Sequence, residues 1–227
     1  MPTMNRLSIV VPVFNEADTL PELCAHLSGY EHQGVEVVMV DGGSDDATVS
    51  LATRAGIKTI VSARGRAVQM NAGAAVATGN VLLFLHADTR LPANAPETIS
   101  AGLSQKYDWG RFDVAIEGSH GMFLIIARMI NLRSRLTGIA TGDQAIFIKR
   151  QAFERVGGFP EQPLMEDIEM SRRLHGLSRP LCLSQKVTTS GRRWQKHGIW
   201  RTIFLMWRLR WAYWRGTPAI ELARLYR

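Results

Sequence analysis

Four short clusters of acidic and polar residues carry the chemistry open to this chain. The first closes an apolar run, Val11-Pro12-Val13-Phe14-Asn15-Glu16. The second is Val40-Asp41-Gly42-Gly43-Ser44-Asp45-Asp46, the third Phe84-Leu85-His86-Ala87-Asp88 and the fourth Met165-Glu166-Asp167. The first three sit where an apolar strand runs into a loop, and the fourth opens a helix. In open α/β sheets, ligands bind outside the carboxyl ends of the strands. A carboxylate such as Asp41 can accept a hydrogen bond from a base N–H, and Gly42 and Gly43 let the backbone approach a ligand. Asp88 offers the hard oxygen required by a divalent cation that bridges two phosphates. Glu166 and Asp167 offer a general base aimed into a cleft. In chain order this describes sites for a nucleotide, a metal and a base. Each cluster taken alone also fits local structure: a tight turn with Asp45 or Asp46 capping a helix, an Asx-turn at Asn15, a cap at Asp88, and carboxylates favoured by the helix dipole at Glu166-Asp167.

Two further segments join them. Gly65-Arg66-Ala67-Val68-Gln69-Met70-Asn71-Ala72-Gly73 places Arg64 and Arg66 at a helix N-terminus, where dipole and guanidinium act together on a phosphate. Two exposed arginines on a solvated face are the simpler reading, and Gly73 with its alanines suits close helix packing. Gly142-Asp143-Gln144 precedes the Glu166-Asp167 pair and is a candidate lining for an acceptor pocket.

The elements that must position these residues alternate. Leu7–Val13, Val35–Val40 and Val81–Leu85 are continuous apolar runs, as expected of parallel strands covered on both faces. Ile57–Val61 is a shorter strand. Helices are predicted at Asp18–Leu27, with Pro21 in its first turn, at Ala47–Ala55 and at Arg66–Ala77. The βαβαβα order implies a parallel, right-handed arrangement. Beyond Asp88 the pattern loosens to a strand at Arg111–Ile116, a helix at Met122–Leu136 and a strand at Gln144–Lys149.

Composition narrows the class. A chain of 227 residues with 46% hydrophobic content suits one α/β domain. Cys24 and Cys182 make no disulfide framework and fit a reducing cytosol. The N-terminal apolar run, broken by Pro12, is too short for a signal peptide or a membrane span. Nine of the 27 Lys and Arg, one of the 20 acids and five of the six Trp fall within residues 192–227, so the body is near neutral and the tail cationic.

PVFNE, VDGGSDDAT, LHADT and a downstream MED, in this order, resemble a family 2 glycosyltransferase of the GT-A fold over about residues 6–195. GRAVQMNAGAA, LLFLHADTRLP, TGDQAIF, LMEDIEMSRRL and SGRRWQKHG are similar to the bacterial subgroup of radical-SAM/selenodomain-associated transferases. The resemblance implies an α/β fold with a Rossmann-like, mostly parallel central sheet flanked by helices, here over residues 1–191, followed by an amphipathic helical appendage, 192–227. It implies that Pro12, Val13, Phe14, Glu16, Asp41 and Gly43 hold base and ribose, that Arg64, Arg66 and Asn71 approach the base or the phosphates, and that His86 and Ala87 contact the donor beside Asp88. Asp88 would then carry Mn²⁺ or Mg²⁺, with His197 as a second candidate ligand. Asp167, beside Glu166, would be the base of an inverting displacement. Gly142, Asp143, Gln144, Arg193 and Trp194 would line the acceptor side. Arg193-Trp194 resembles the end of the Q-x-x-R-W signature of processive members, but residue 190 is Ser. His86 stands where the family has the first Asp of D-x-D.

The implied activity is metal-assisted, inverting transfer of a sugar from a nucleotide-sugar donor to a hydroxyl of a small or lipid-linked acceptor. The alternative is a catalytically degenerate transferase-like domain serving as a membrane- or lipid-binding module. In the tail, Trp200, Ile203, Phe204, Trp207, Trp211 and Trp214 share one helical face flanked by Arg201, Arg208 and Arg215. That face suits an anionic membrane surface; it equally suits packing on the body or on a second copy in a homodimer. No nucleic-acid motif accompanies the charge, so nucleic acid is not an expected partner. The expected location is the cytoplasm, peripheral on the inner face of the cytoplasmic membrane.

Overall fold

The computed structural model describes residues 6–103 and 106–226. Among the described residues ten helices and eight strands follow in the order β1 Leu7–Val13, α1 Leu20–Glu31, β2 Glu36–Asp41, α2 Thr48–Arg54, β3 Lys58–Val61, α3 Arg66–Val76, β4 Val81–Phe84, β5 Thr89–Arg90 and α4 Ala95–Gly102. The second half runs β6 Trp109–Glu117, α5 Met122–Thr137, a 3-10 turn at Gly142–Gln144, β7 Phe147–Lys149, α6 Arg150–Arg155, α7 Glu166–His175, β8 Leu181–Ser190, α8 Arg192–His197, α9 Ile199–Trp214 and α10 Ala219–Tyr226.

One mixed sheet holds all the strands, in the order β3-β2-β1-β4-β7-β6-β8-β5. β3, β2, β1 and β4 are mutually parallel, and β7 turns the sheet by pairing antiparallel to both β4 and β6. The apolar strands separate two layers of core. Ile9, Val11, Met39 and Leu83 face α1 and α2, while Val10, Val38, Val40 and Leu82 face α3, α6 and α7. This two-sided burial is why β1, β2 and β4 read as unbroken apolar runs.

The first half lies within a few residues of the sequence expectation. Neither Asp45 nor Asp46 is the N-cap of α2: that position falls to Ala47, with no side-chain cap bond, and Asp46 Oδ1 accepts from the Thr48 N–H at 2.9 Å just ahead of it. Asp45 instead pairs with Asn15, whose Nδ2 donates to it at 2.7 Å. The second half differs more. The strand expected at Gln144–Lys149 begins only at Phe147, because Gln144 closes a capping box on Thr141 and is fully buried. β8, α4 and α6 were not anticipated. β8 alternates polar and apolar residues beside β6 and so lacks the continuous run that marks the central strands.

The tail folds back on the body. Leu209 of α9 and Leu222 of α10 are buried against Leu164 and Met165, just before α7. The aromatic face points away: Trp200, Phe204, Trp207, Trp211 and Trp214 are 55–81% exposed, and only Ile203 is half-covered. Packing of that face on the body is therefore not what the tail does. α5 carries a second exposed apolar stripe, Leu124, Ile125, Met129, Leu132 and Leu136. No helix of the described residues is long and apolar enough to cross a membrane.

Candidate active site

The carboxyl ends of β1, β2 and β4 open onto one cleft with two halves. The first half, about 400 Å³, is lined by Pro12, Val13, Phe14 and Glu16 from the β1 end, Arg64, Arg66 and Gln69 around the start of α3, and His86, Ala87 and Asp88 after β4. The second, about 220 Å³, is lined by Gly142, Asp143, Asp167, Arg193, Trp194 and Arg210, among others. Arg66, His86, Asp88, Glu166 and Tyr226 belong to both.

Local hydrogen bonding explains how the first half is held. Gln69 Nε2 donates to the carbonyls of Val13 and Val40, both at 2.8 Å, and so clamps the ends of β1 and β2 beneath the cleft. The Arg64 guanidinium lies 4.0 Å over the Phe14 ring, a cation-π pair at the rim. Asp41 is buried, and its carboxylate is taken up by its own loop: Gly43 N–H and Ser44 N–H each donate to it at 2.8 Å, and the Ser44 hydroxyl donates as well. Gly43 sits at φ +82°, a conformation glycine adopts without strain. Asp41 and Gly43 therefore shape the loop behind the cleft and do not line it. Asn71 departs further from expectation. It bonds both backbone groups of Phe159 at 2.9 Å and anchors the loop before α7.

The wall between the halves is made of charge. Arg66 Nη1 donates to Glu166 Oε1 at 3.2 Å. Desolvation by the cleft opposes the Arg66 charge, although the side chain is 47% exposed, but Glu166 and Asp167 outweigh it and hold its pKa above the usual arginine value. Glu166 is 3% exposed; burial, then the neighbouring Asp167, push its pKa up against the pull of Arg66. Asp167 points the other way. Its Oδ2 accepts from the Gly142 N–H at 2.8 Å, and its Oδ1 from the Ile168 N–H at 2.7 Å. Gly142 is required here because a Cβ would overlap the His86 ring. Burial, then Arg66, drive the His86 pKa well below the ordinary value.

Asp143 lies in the second half with Oδ1 buried and unpaired, and burial raises its pKa. Gln144, expected beside it, is committed to the capping box and does not line the cavity. Asp88 is exposed at the shared wall, holding one hydrogen bond from Thr89 at 3.2 Å. Among the described residues no three His, Cys, Asp or Glu form a metal cage. His197 lines a separate groove with Arg201 and Arg208, away from Asp88. A lone carboxylate suits a hard cation whose remaining ligands come from a substrate's phosphates. Sequence reasoning missed Gln69, Arg210 and Tyr226. Gln69 stands inside the GRAVQMNAGAA motif, whereas Arg210 and Tyr226 reach the cleft only through the fold of the tail.

The glycosyl transferase family 2 profile matches residues 8–156, which run from within β1 through β7 and include Arg64, Arg66, His86 and Asp88 of the first half. The chain belongs to glycosyl transferase family 2. It is 30% identical over 168 residues to an undecaprenyl-phosphate 4-deoxy-4-formamido-L-arabinose transferase of Klebsiella pneumoniae, a match covering 65% of this chain and 49% of that one. The chain thus spans about half the length of such relatives. Its fold is similar to that of the mannosyltransferase PcManGT from Pyrobaculum calidifontis, solved with GDP-Man and Mn²⁺, at a TM-score of 0.66 and 22% identity, covering 93% of this chain and 62% of that one. TarS of S. aureus with UDP-GlcNAc gives a TM-score of 0.65 at 20% identity, covering 82% of this chain and 58% of that one.

Proposed function

We propose that the cleft moves a sugar from a nucleotide-sugar donor to an acceptor hydroxyl in a single inverting displacement. The observation that carries this is the division of labour between adjacent carboxylates. Glu166 is engaged by Arg66 in the wall, whereas Asp167 is oriented by Gly142 into the acceptor half. The rim around Phe14 and Arg64 is the base and ribose side. Arg66, at the start of α3, offsets negative charge developing on the departing diphosphate. The acceptor oxygen attacks the anomeric carbon, the bond from that carbon to the diphosphate oxygen breaks, and the acceptor proton passes to Asp167. Asp88 would hold Mn²⁺ or Mg²⁺, which supplies Lewis-acid stabilisation of the leaving diphosphate.

The same reading covers the tail. The exposed Trp face with Arg201, Arg208 and Arg215 is a surface for an anionic membrane, and the lipid-linked substrate named for the Klebsiella relative supports an acceptor delivered there. Residues 192–227 then act as an appendage to a catalytic body of residues 1–191. The motifs GRAVQMNAGAA and TGDQAIF support membership of the radical-SAM-associated subgroup.

The test is hydrolysis of UDP-, GDP- and dTDP-sugars with and without Mn²⁺, alongside a thermal-shift screen of the same donors. One donor should raise the melting temperature and turn over with metal. Liposome binding without turnover of any donor would instead support the degenerate, membrane-binding alternative.

A further inference from the structure

A second cavity lies wholly within the tail. About 360 Å³ in volume, it sits between α8, α9 and α10 and is ringed by Arg193, His197, Arg201 and Arg208. Its apolar wall is Phe204, Leu205 and Leu225, and none of the described acidic residues lines it. Arg193 stacks 3.9 Å over the Tyr226 ring and donates to its hydroxyl. Among the described residues, no ion pair takes up Arg193, Arg201 or Arg208. Three permanent cations around one small cavity repel one another and attract an anion. Guanidinium groups suit phosphate oxygens in particular. The apolar wall is of no use to a bare ion; it suits a hydrocarbon chain on the same molecule.

Position adds a direction. Arg193, Thr202 and Tyr226 line both this groove and the acceptor half of the cleft. At its other side Phe204, 63% exposed, belongs to the aromatic face and lies 6.4 Å from the Trp207 ring. The groove therefore connects the surface that meets a bilayer with the pocket that holds Asp167.

We propose that this groove binds the phosphate head of an amphiphile, its chain running along Phe204, Leu205 and Leu225 towards the aromatic face, and that the acceptor carries its reacting hydroxyl beyond that phosphate. The second clause rests on the transfer reading of the cleft; the first stands without it.

The test is calorimetric titration of the full chain with monomeric dodecyl phosphate, inorganic phosphate and dodecyl maltoside. Dodecyl phosphate should bind one to one, roughly tenfold or more tighter than either of the others, because only it engages both walls. The Arg201→Gln/Arg208→Gln pair should weaken it by a similar factor, each single change by several-fold, and Leu136→Gln, on the exposed stripe of α5 outside the groove, should leave it unchanged. Melting temperatures check that these surface variants are folded, and the single changes serve if the pair is not. Equal affinity for inorganic phosphate would make this a free-anion site, and equal affinity for dodecyl maltoside an apolar patch. Either result overturns the proposal, as does an affinity for dodecyl phosphate that the arginine changes leave intact. Donor hydrolysis by the wild-type chain separates the two readings. Dodecyl phosphate binding without turnover removes the transfer reading alone, and turnover without dodecyl phosphate binding removes this site alone.

Discussion

At the scale of single residues, the two carboxylates at the start of α7 make opposite predictions. Asp167→Asn keeps the Gly142 contact but loses the base, and kcat should fall ~10²–10⁴-fold with donor affinity little changed. Glu166→Gln weakens its pair with Arg66, so its deficit should appear in donor affinity. A dead Glu166→Gln beside a nearly active Asp167→Asn would reverse the assignment. Asp88→Ala should abolish Mn²⁺-enhanced donor binding without lowering the melting temperature, since the side chain is exposed and holds one hydrogen bond. Glu36, away from the cleft, sets a pH limit on the fold. Burial raises its pKa, but bonds from Ser8, the Thr78 N–H and Lys58 outweigh it and lower the value to about 2. A carboxylate depressed in the folded state contributes stability above its ordinary pKa of 4.5 and loses it as pH falls towards 2. Glu36→Gln should therefore cost about 1–2 kcal/mol at neutral pH, after allowance for solvent screening. That cost should vanish across this window in urea melts taken from pH 6 downward.

At the scale of elements, α3 is the part whose seating decides the donor half. It carries Arg66 and Gln69, and Gly73 lets it lie on β1 and β2: a Cβ there would come within 2.9 Å of Val40 and closer still to Val10. Alanine gains about 1 kcal/mol of helix propensity over glycine. Overpacking against the stiff, buried side chains of Val10 and Val40 costs typically 1–3 kcal/mol. Gly73→Ala should thus lower the urea midpoint and also weaken donor binding, by lifting Arg66 and the Gln69 clamp. These elements were legible from sequence because burial on both faces leaves unbroken apolar runs, as in Val81–Phe84. The Asp167 and Asp88 motifs were legible because they end such runs or open a helix. Gln144 and Asn71 were misread for a physical reason. A polar side chain within a motif can be spent on its own backbone neighbourhood, and only the fold shows which carbonyl lies within reach. Tyr226 and Arg210 were invisible for the complementary reason: no local pattern tells where a tail will return.

At the scale of the whole molecule, the aromatic face of α9 predicts salt-dependent attachment. Arg201, Arg208 and Arg215 each contribute roughly 1 kcal/mol near an anionic surface, an attraction that salt screens. The chain should sediment with anionic liposomes at low salt and less at high salt. Because Trp207 and Trp211 are exposed, replacing both with Gln should abolish sedimentation while the fold survives. An intact chain that ignores liposomes and elutes as a dimer would assign the face to a second copy.

The small cluster joining tail to body also has a consequence for motion. Leu209 and Leu222 hold the tail against Leu164 and Met165, a contact far smaller than either face of the sheet. Such satellites open as separate cooperative units, at a fraction of the free energy of global unfolding. Met165 sits at φ +66°, strained for a residue with a side chain, and it is the residue before Glu166 and Asp167. When the tail lifts, the packing that holds Met165 in that conformation goes with it. Amide exchange should therefore group the first turn of α7 with α9 and α10 as one fast-opening foldon, while β1 and β2 exchange only on global unfolding.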